Sequence, residues 1–507
     1  MKTTAQHDRT RALALVLALV LFAGAGWLYH RHSYPNPWDH NEGVYFNSAR
    51  LLSQGEPLFT SVFSSQPPVF LATLAWQFSV FGDNSPSGRV FMAGWGVAAL
   101  LAMAFLSWRL FSAGTAAWTV FIAASAFLFF RAGHTAEAEM PAVALALVSM
   151  GLCLSSSRRD SLTLATCAGA VFALAFMTKV LVVPWLAAAA VLLLPASEGS
   201  IAWRRVWSRR CMARFLSFGV AFAVVGLVLF AVFDAREMWR QAFFFHFDKR
   251  ETTGEAVPAV ANLAHMVRYL GRDVGIALLA LVGVAAILRS GGLALVWWAV
   301  LALSSLAFLL VHTPMAPNHV LLLGVCLAFA AAVGARAVTS LLSRKLPAMA
   351  AIVVVALFSQ VCVEASMRGV PLGSGGVLTL NMLRNHTKFP NASIPAQDQQ
   401  IIDYLRENTD SDESVVSDGH RAVFWSGRAS PPFLCDITHE RVVSGWLRDE
   451  DLIKHSTGVS TIIVQTGQLS RFPAFMQWVS GNYDVVAEIP GGSRSATIWR
   501  KLEEGKR

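Results

Sequence analysis

Apolar residues in this chain come in long runs separated by short polar connections, from Ala12 almost to Val363. A helix crossing a bilayer needs about 20 apolar residues. Runs at 12–29, 89–110, 115–131, 140–155, 161–178, 181–195, 215–233, 274–289, 292–311, 319–338 and 347–363 therefore predict about 11 spans. The stretch 67–81 is shorter and opens on Pro67-Pro68, which predicts a helix lying in or on the membrane surface. After Val363 the pattern changes. Residues 364–394, with Gly-Ser-Gly-Gly, read as a linker, and 395–507 as a small soluble α/β domain. There, 399–407 and 471–480 have helical spacing. Residues 413–418 and 461–465 look like buried strands, and 483–489 with 495–500 like a closing hairpin turned at Gly491-Gly492. The expected fold class is thus an α-helical polytopic membrane protein, residues 1–363, carrying a small C-terminal soluble α/β domain.

Composition sharpens this picture. The 507 residues are 55% hydrophobic and 14% charged, with a mean hydropathy of +0.50; a soluble domain would carry about 25% charged residues. Lys2, Arg9 and Arg11 before the first run resemble a signal-peptide n-region. Gly26-Trp27-Leu28-Tyr29-His30 is no small-residue cleavage site, so an uncleaved span is expected. The formal charge is +9. Its basic residues fall in alternate loops: Arg109, then Arg158 and Arg159, then Arg204 to Arg214, Arg289, and Arg336 to Lys345. That bias places the amino terminus inside and residues 395–507 outside a plasma (inner) membrane. The charge is topology, and no nucleic acid partner is expected. Six cysteines make no CxxC pair, and neither disulfide nor zinc spacing is readable.

Candidate chemistry clusters at span ends on the outer side. Asp39 and Glu42 follow the first span in Trp38-Asp39-His40-Asn41-Glu42-Gly43, just before a run with helical spacing. Two readings stand together: Asp39 as N-cap with Glu42 as its capping partner, and Asp39 as a general base poised by partial burial. A second acidic pair, Glu137 and Glu139, begins the run at 140. Lys179 lies between two apolar runs, where it either snorkels or meets a lipid phosphate as a point charge. Lys249 and Arg250 follow the aromatic ledge Phe243–Phe247, and His319 closes HTPMAPNH at the start of another span. No GxGxxG or P-loop is present. No cofactor is called for, and a divalent metal stays open.

Taken in order, these segments resemble the GT-C glycosyltransferases that use polyprenyl-phosphate sugars. The likeness is to the bacterial branch near protein O-mannosyltransferases and the lipid A aminoarabinose transferase. The matching pattern runs WDHNEG, FNSARLLSQGEPLF, SSQPPVFLATLAWQFSVFG, Arg89, Glu139-Met-Pro141, Lys179 and, in the last third, VSDGHRAVFWSGRASPPFLCD. The resemblance implies a GT-C fold and transfer of a sugar, with inversion, from a polyprenyl-phosphate donor to an acceptor hydroxyl on a lipid, glycan or protein. It implies Asp39 as catalytic base with Glu42 adjacent, and Glu139 as the second outer acid beside Glu137. Lys179, with Lys249 and Arg250, would hold the donor phosphate. Two departures stand out: Gln66 precedes Pro-Pro where relatives often carry Lys, and Glu139 stands where Asp is common. Two rivals remain from sequence: a transporter or flippase, and a non-catalytic relative that only binds polyprenyl phosphate. The first would show internal repeats, broken spans and charges deep in helices.

Overall fold

The computed structural model describes residues 2–29, 31, 41–197, 199–252, 259–313, 315–361, 394–492 and 494–502. Up to residue 361 it is almost wholly helical. The helices are α1 Lys2–Tyr29, α2 Asn41–Ser53, α3 Pro68–Phe81, α4 Ser85–Leu110, α5 Ala113–Ser125, α6 Phe127–His134, α7 Glu139–Arg159, α8 Leu162–Phe176 and α9 Trp185–Leu193. They continue as α10 Arg209–Val232, α11 Ala235–Trp239, α12 Phe245–Thr252, α13 Ala259–Leu270, α14 Val274–Ser290, α15 Gly292–Val311, α16 Leu321–Leu342 and α17 Ala348–Ser359. A two-residue hairpin, β1 Ala196–Ser197 with β2 Ser200–Ile201, follows α9.

Local chemistry starts these helices where the polar punctuation falls. Asn84 accepts the Ser87 N–H at 2.9 Å and Pro86 lies in the first turn, which caps α4. Ser112, Ser161 and Ser208 cap α5, α8 and α10 in the same way. Small residues let neighbouring helices touch. A Cβ at Gly283 of α14 would collide with the Ala330 carbonyl of α16, and one at Gly334 with the Leu279 carbonyl.

Among the described residues, five helical stretches are long and apolar enough to cross a bilayer: α4, α7, α10, α15 and 317–342. They become seven if each of two bent pairs is one span. The expected run 115–131 breaks at Ala126, where α5 and α6 meet at 71°. The run from 274 is preceded by α13, which meets α14 at 108°. The expected run 181–195 holds a helix of only 9 residues behind a 3-10 turn. The runs at 12–29, 161–178 and 347–363 form shorter apolar helices by the same measure. Hydropathy reported apolar composition there, and composition does not report where a helix bends. Helix α3 has 14 residues, about 21 Å at 1.5 Å per residue, short of the hydrocarbon core.

The last third carries a four-stranded sheet of order β3-β4-β6-β5, with β3 Val415–Ser417, β4 Thr461–Val464, β5 Tyr483–Ile489 and β6 Ala496–Lys501. β3 runs parallel to β4, and the other pairs are antiparallel. β4 is buried throughout, as a central strand covered on both faces must be. Helices Ala396–Asn408 and Pro473–Asn482 pack on it. Most of the expected linker, 364–394, lies outside the described residues.

This last third is fastened to α2. Asn47 donates to the Gly43 and His420 carbonyls, both at 2.9 Å. Arg50 donates to the Arg428 carbonyl at 2.8 Å, pairs with Asp83 at 2.7 Å and lies over the Phe424 ring. Gly43 faces the Arg421 backbone so closely that a Cβ would sit 2.7 Å from its nitrogen. The helix that starts within the first acidic motif is thereby anchored to the last third.

Candidate active site

Three chain segments meet around the acidic residues. The first is the start of α2. Arg89, near the start of α4, grips Glu42 with both arms: Nε to Oε1 at 3.0 Å and Nη2 to Oε2 at 2.8 Å. Both side chains are buried. Glu42 Oε1 also accepts the Ala136 N–H at 3.2 Å. The first acidic motif thus touches the loop that carries the second. Asp39 itself lies outside the described residues, as do the side chains of Lys249 and Arg250.

The second segment runs from α6 into α7. Glu137 pairs with Arg131 at 3.0 Å. Glu139 opens α7, where the helix dipole favours its charge. Its Oε1 receives Lys179 Nζ at 2.5 Å and the Asn318 amide, with His319 Nε2 at 3.8 Å. Its Oε2 has no hydrogen-bond partner among the described residues. The Ala316 N–H donates to His319 Nδ1 at 3.2 Å, which leaves the neutral ring's proton on Nε2, facing Glu139.

The third segment is the start of α3. The Val69 N–H donates to the Met177 carbonyl at 3.1 Å, so the Pro-Pro turn abuts the Lys179 turn. Gln66 is buried just before it. Its backbone N–H donates to Ser64 Oγ, and among the described residues its side-chain amide reaches Ser65 Oγ at 3.5 Å. The aromatic ledge packs on the same loop. Gln241, in a π-helical turn, bridges the Ser64 N–H and the Phe59 carbonyl, and His246 Nε2 lies 2.7 Å from the Ser65 carbonyl. π-turns recur at functional sites.

The geometry thus joins Glu139, Lys179 and His319, which the sequence nominated separately, and adds Asn318, which it missed. Asn318 adjoins His319 at a Pro-initiated turn, and that adjacency was the available signal. Arg89 entered the sequence reading only as part of the resemblance; its role as the clamp of Glu42 is new. Chemically, the cluster offers a cation that a buried carboxylate now holds, and a carboxylate oxygen with capacity to spare.

Comparisons with known proteins bear on the fold that carries this cluster. Residues 65–233 match the dolichyl-phosphate-mannose-protein mannosyltransferase family. No curated protein matches the chain in sequence. Among solved structures, ArnT from Cupriavidus metallidurans bound to undecaprenyl phosphate superposes with a TM-score of 0.64 at 14% identity, over 97% of this chain and 98% of that one. Its apo state gives 0.64 at 15% identity, over the same shares of the two chains. The Archaeoglobus fulgidus oligosaccharyltransferase tethered with an acceptor peptide gives 0.51 at 10% identity, over 97% of this chain and 74% of that one. The chain shares the fold of ArnT over nearly its whole length, and residues 65–233 match the mannosyltransferase family model within it.

Proposed function

We propose that this protein is an integral membrane glycosyltransferase that moves a sugar from a polyprenyl-phosphate donor to an acceptor hydroxyl at the outer face of the inner membrane. The observation that carries this reading is the buried group Lys179–Glu139–Asn318–His319 beside the Pro67-Pro68 turn. A lysine held by one carboxylate oxygen is a cation ready to be handed to a phosphate. The likeness to a fold seen with undecaprenyl phosphate bound supports that use.

Asp39 is the base. It takes the acceptor hydroxyl proton as that oxygen attacks the anomeric carbon. The bond from that carbon to the phosphate oxygen breaks, and the phosphate leaves with the electron pair. Lys179 stabilises it, with Lys249 and Arg250 contributing from the aromatic ledge. One displacement inverts the anomeric centre. Glu42 holds the start of α2 through Arg89, and Asp39 precedes that helix by two residues in sequence. Residues 395–507 form an outer unit, joined through 364–394, and their grip on α2 supports a part in placing the acceptor.

The transporter reading gains one observation, since two helices are broken, as in many transporters. Near-complete coverage by the glycosyltransferase fold favours the enzyme. The test is transfer from a lipid-linked donor by Asp39→Asn. The amide keeps the size of the side chain but takes no proton. A rate loss of about 10²–10⁴ at unchanged abundance is expected. Full activity in this variant would remove Asp39 from the mechanism. A reporter fused after Arg507 that is active inside the cell would overturn the topology.

A further inference from the structure

The two broken helices are joined to each other at their breaks. α6 begins at Phe127, and its own N-cap residue, Ala126, supplies no side-chain cap. The cap comes from Asp273, 146 positions away, whose Oδ2 accepts the Phe127 N–H at 2.8 Å. Asp273 is itself the N-cap residue of α14, yet its side chain makes no cap bond there. Arg272, beside it, stacks its guanidinium 3.9 Å from the Phe127 ring centroid. Both charged residues are buried. The void at this junction is only about 20 Å³, room for about one water.

Each broken helix then leads to the site. From Phe127, α6 runs about one turn to Arg131, the partner of Glu137, and the chain goes on to the Ala136 N–H that binds Glu42. On the other side, Asn262 of α13 donates to the Leu309, Leu310 and His312 carbonyls. That fixes the chain leading into the Pro317–Val320 turn, which carries Asn318 and His319. Glu139 and the Asn318 amide that donates to it are thus delivered by two elements with one common anchor.

We propose that Arg272 and Asp273 are positioning residues. They lock the two helix breaks together, and this sets the angle at which α6 presents the Glu137–Glu139 loop to Glu42, Lys179 and Asn318. A carboxylate suits the task because it can cap a helix that is not its own, and the dipole of α6 favours its charge there. The effect on catalysis rests on the proposed function; the lock itself does not.

The test compares Asp273→Ala with Asp273→Asn in the full chain in detergent. Asparagine keeps an acceptor oxygen for the Phe127 N–H. In Asp273→Ala, hydrogen exchange should quicken in 127–136 while β4 and α16 stay protected, and Asp273→Asn should restore most of the protection. With a lipid-linked donor, Asp273→Ala should lower kcat about tenfold to a hundredfold, the range for a slightly misplaced group, with donor KM within about twofold. Unchanged exchange in 127–136 would overturn the lock. Faster exchange everywhere, not rescued by asparagine, would reduce Asp273 to general stability and overturn it equally. If the exchange pattern appears but the wild-type chain transfers no sugar, the lock stands and the enzymatic reading fails.

Discussion

Glu42 and Glu139 are the same residue type, both buried, both in the first turn of a helix, yet they are held in opposite ways. Glu42 has each oxygen matched to one arm of a guanidinium, with a backbone N–H besides. Such a planar, bidentate pair has one good geometry and no slack. Glu139 crowds Lys179, Asn318 and His319 around a single oxygen and leaves the other without a partner among the described residues. Its main cation is an ammonium on a flexible stem, which can turn toward another anion. The difference separates a brace from a reservoir. Under the proposed function, the first carboxylate fixes the start of α2 and the second keeps a cation available in a buried place where a bare ammonium would be costly.

Removing the cation from each carboxylate breaks this comparison most sharply. Arg89→Met leaves Glu42 buried with, among the described residues, only the Ala136 N–H as donor. Breaking a buried pair in this way costs about 3–5 kcal/mol, so thermal unfolding in detergent should drop strongly and abundance should fall. Lys179→Met should cost much less, because Glu139 keeps Asn318 and His319. Equal stability of Arg89→Met and wild type would show that Glu42 is no brace.

The next effect is on lipid binding. Lys179→Met should weaken affinity for bare polyprenyl phosphate about tenfold to a hundredfold, the worth of one charge-assisted contact. Glu139→Gln should not weaken it, since the amide releases the ammonium that the carboxylate was holding. A loss in Glu139→Gln as large as in Lys179→Met would mean that the pair acts as one fixed unit, and the reservoir would be lost. Unchanged affinity in Lys179→Met would leave that lysine as an interface anchor.

Sequence periodicity reached the elements and stopped at their partners. The apolar runs located most helices, and the short run Thr461–Val464 was legible as a buried strand because both faces are covered. The acidic and basic candidates were legible as span-end charges. What they bind was not. Arg89 reaches Glu42 across 47 positions, Asn318 reaches Glu139 across 179, and Asp273 caps a helix 146 positions away. A period reports which face of its own element a residue takes, and nothing about the element opposite. The kink at Ala126 was invisible for the same reason: no proline or glycine marks it, and a carboxylate from elsewhere completes the backbone bonding at Phe127.

A third buried carboxylate sharpens the comparison at the smallest scale. Asp436 lies in the last third, near Arg441, a buried guanidinium stacked between the Phe63 and Phe433 rings. Arg441 donates to the Phe433 and Asp436 carbonyls, and the Asp436 carboxyl accepts the Thr438 N–H at 3.1 Å. Burial pushes the Asp436 carboxyl above the usual carboxylate range, and the nearby Arg441 pulls it only part of the way back. An acid whose folded pKa lies above its unfolded value holds more protons when folded. Stability therefore falls as pH rises from about 4, the unfolded value, through the folded pKa. Asp436→Asn removes this titration and keeps the shape. The thermal midpoint of the variant minus that of wild type should be near zero at about pH 4 and grow as pH rises through that window. A difference that is flat, or that shrinks, would mean that Arg441 holds Asp436 ionised, and would add a second brace rather than a lone buried acid.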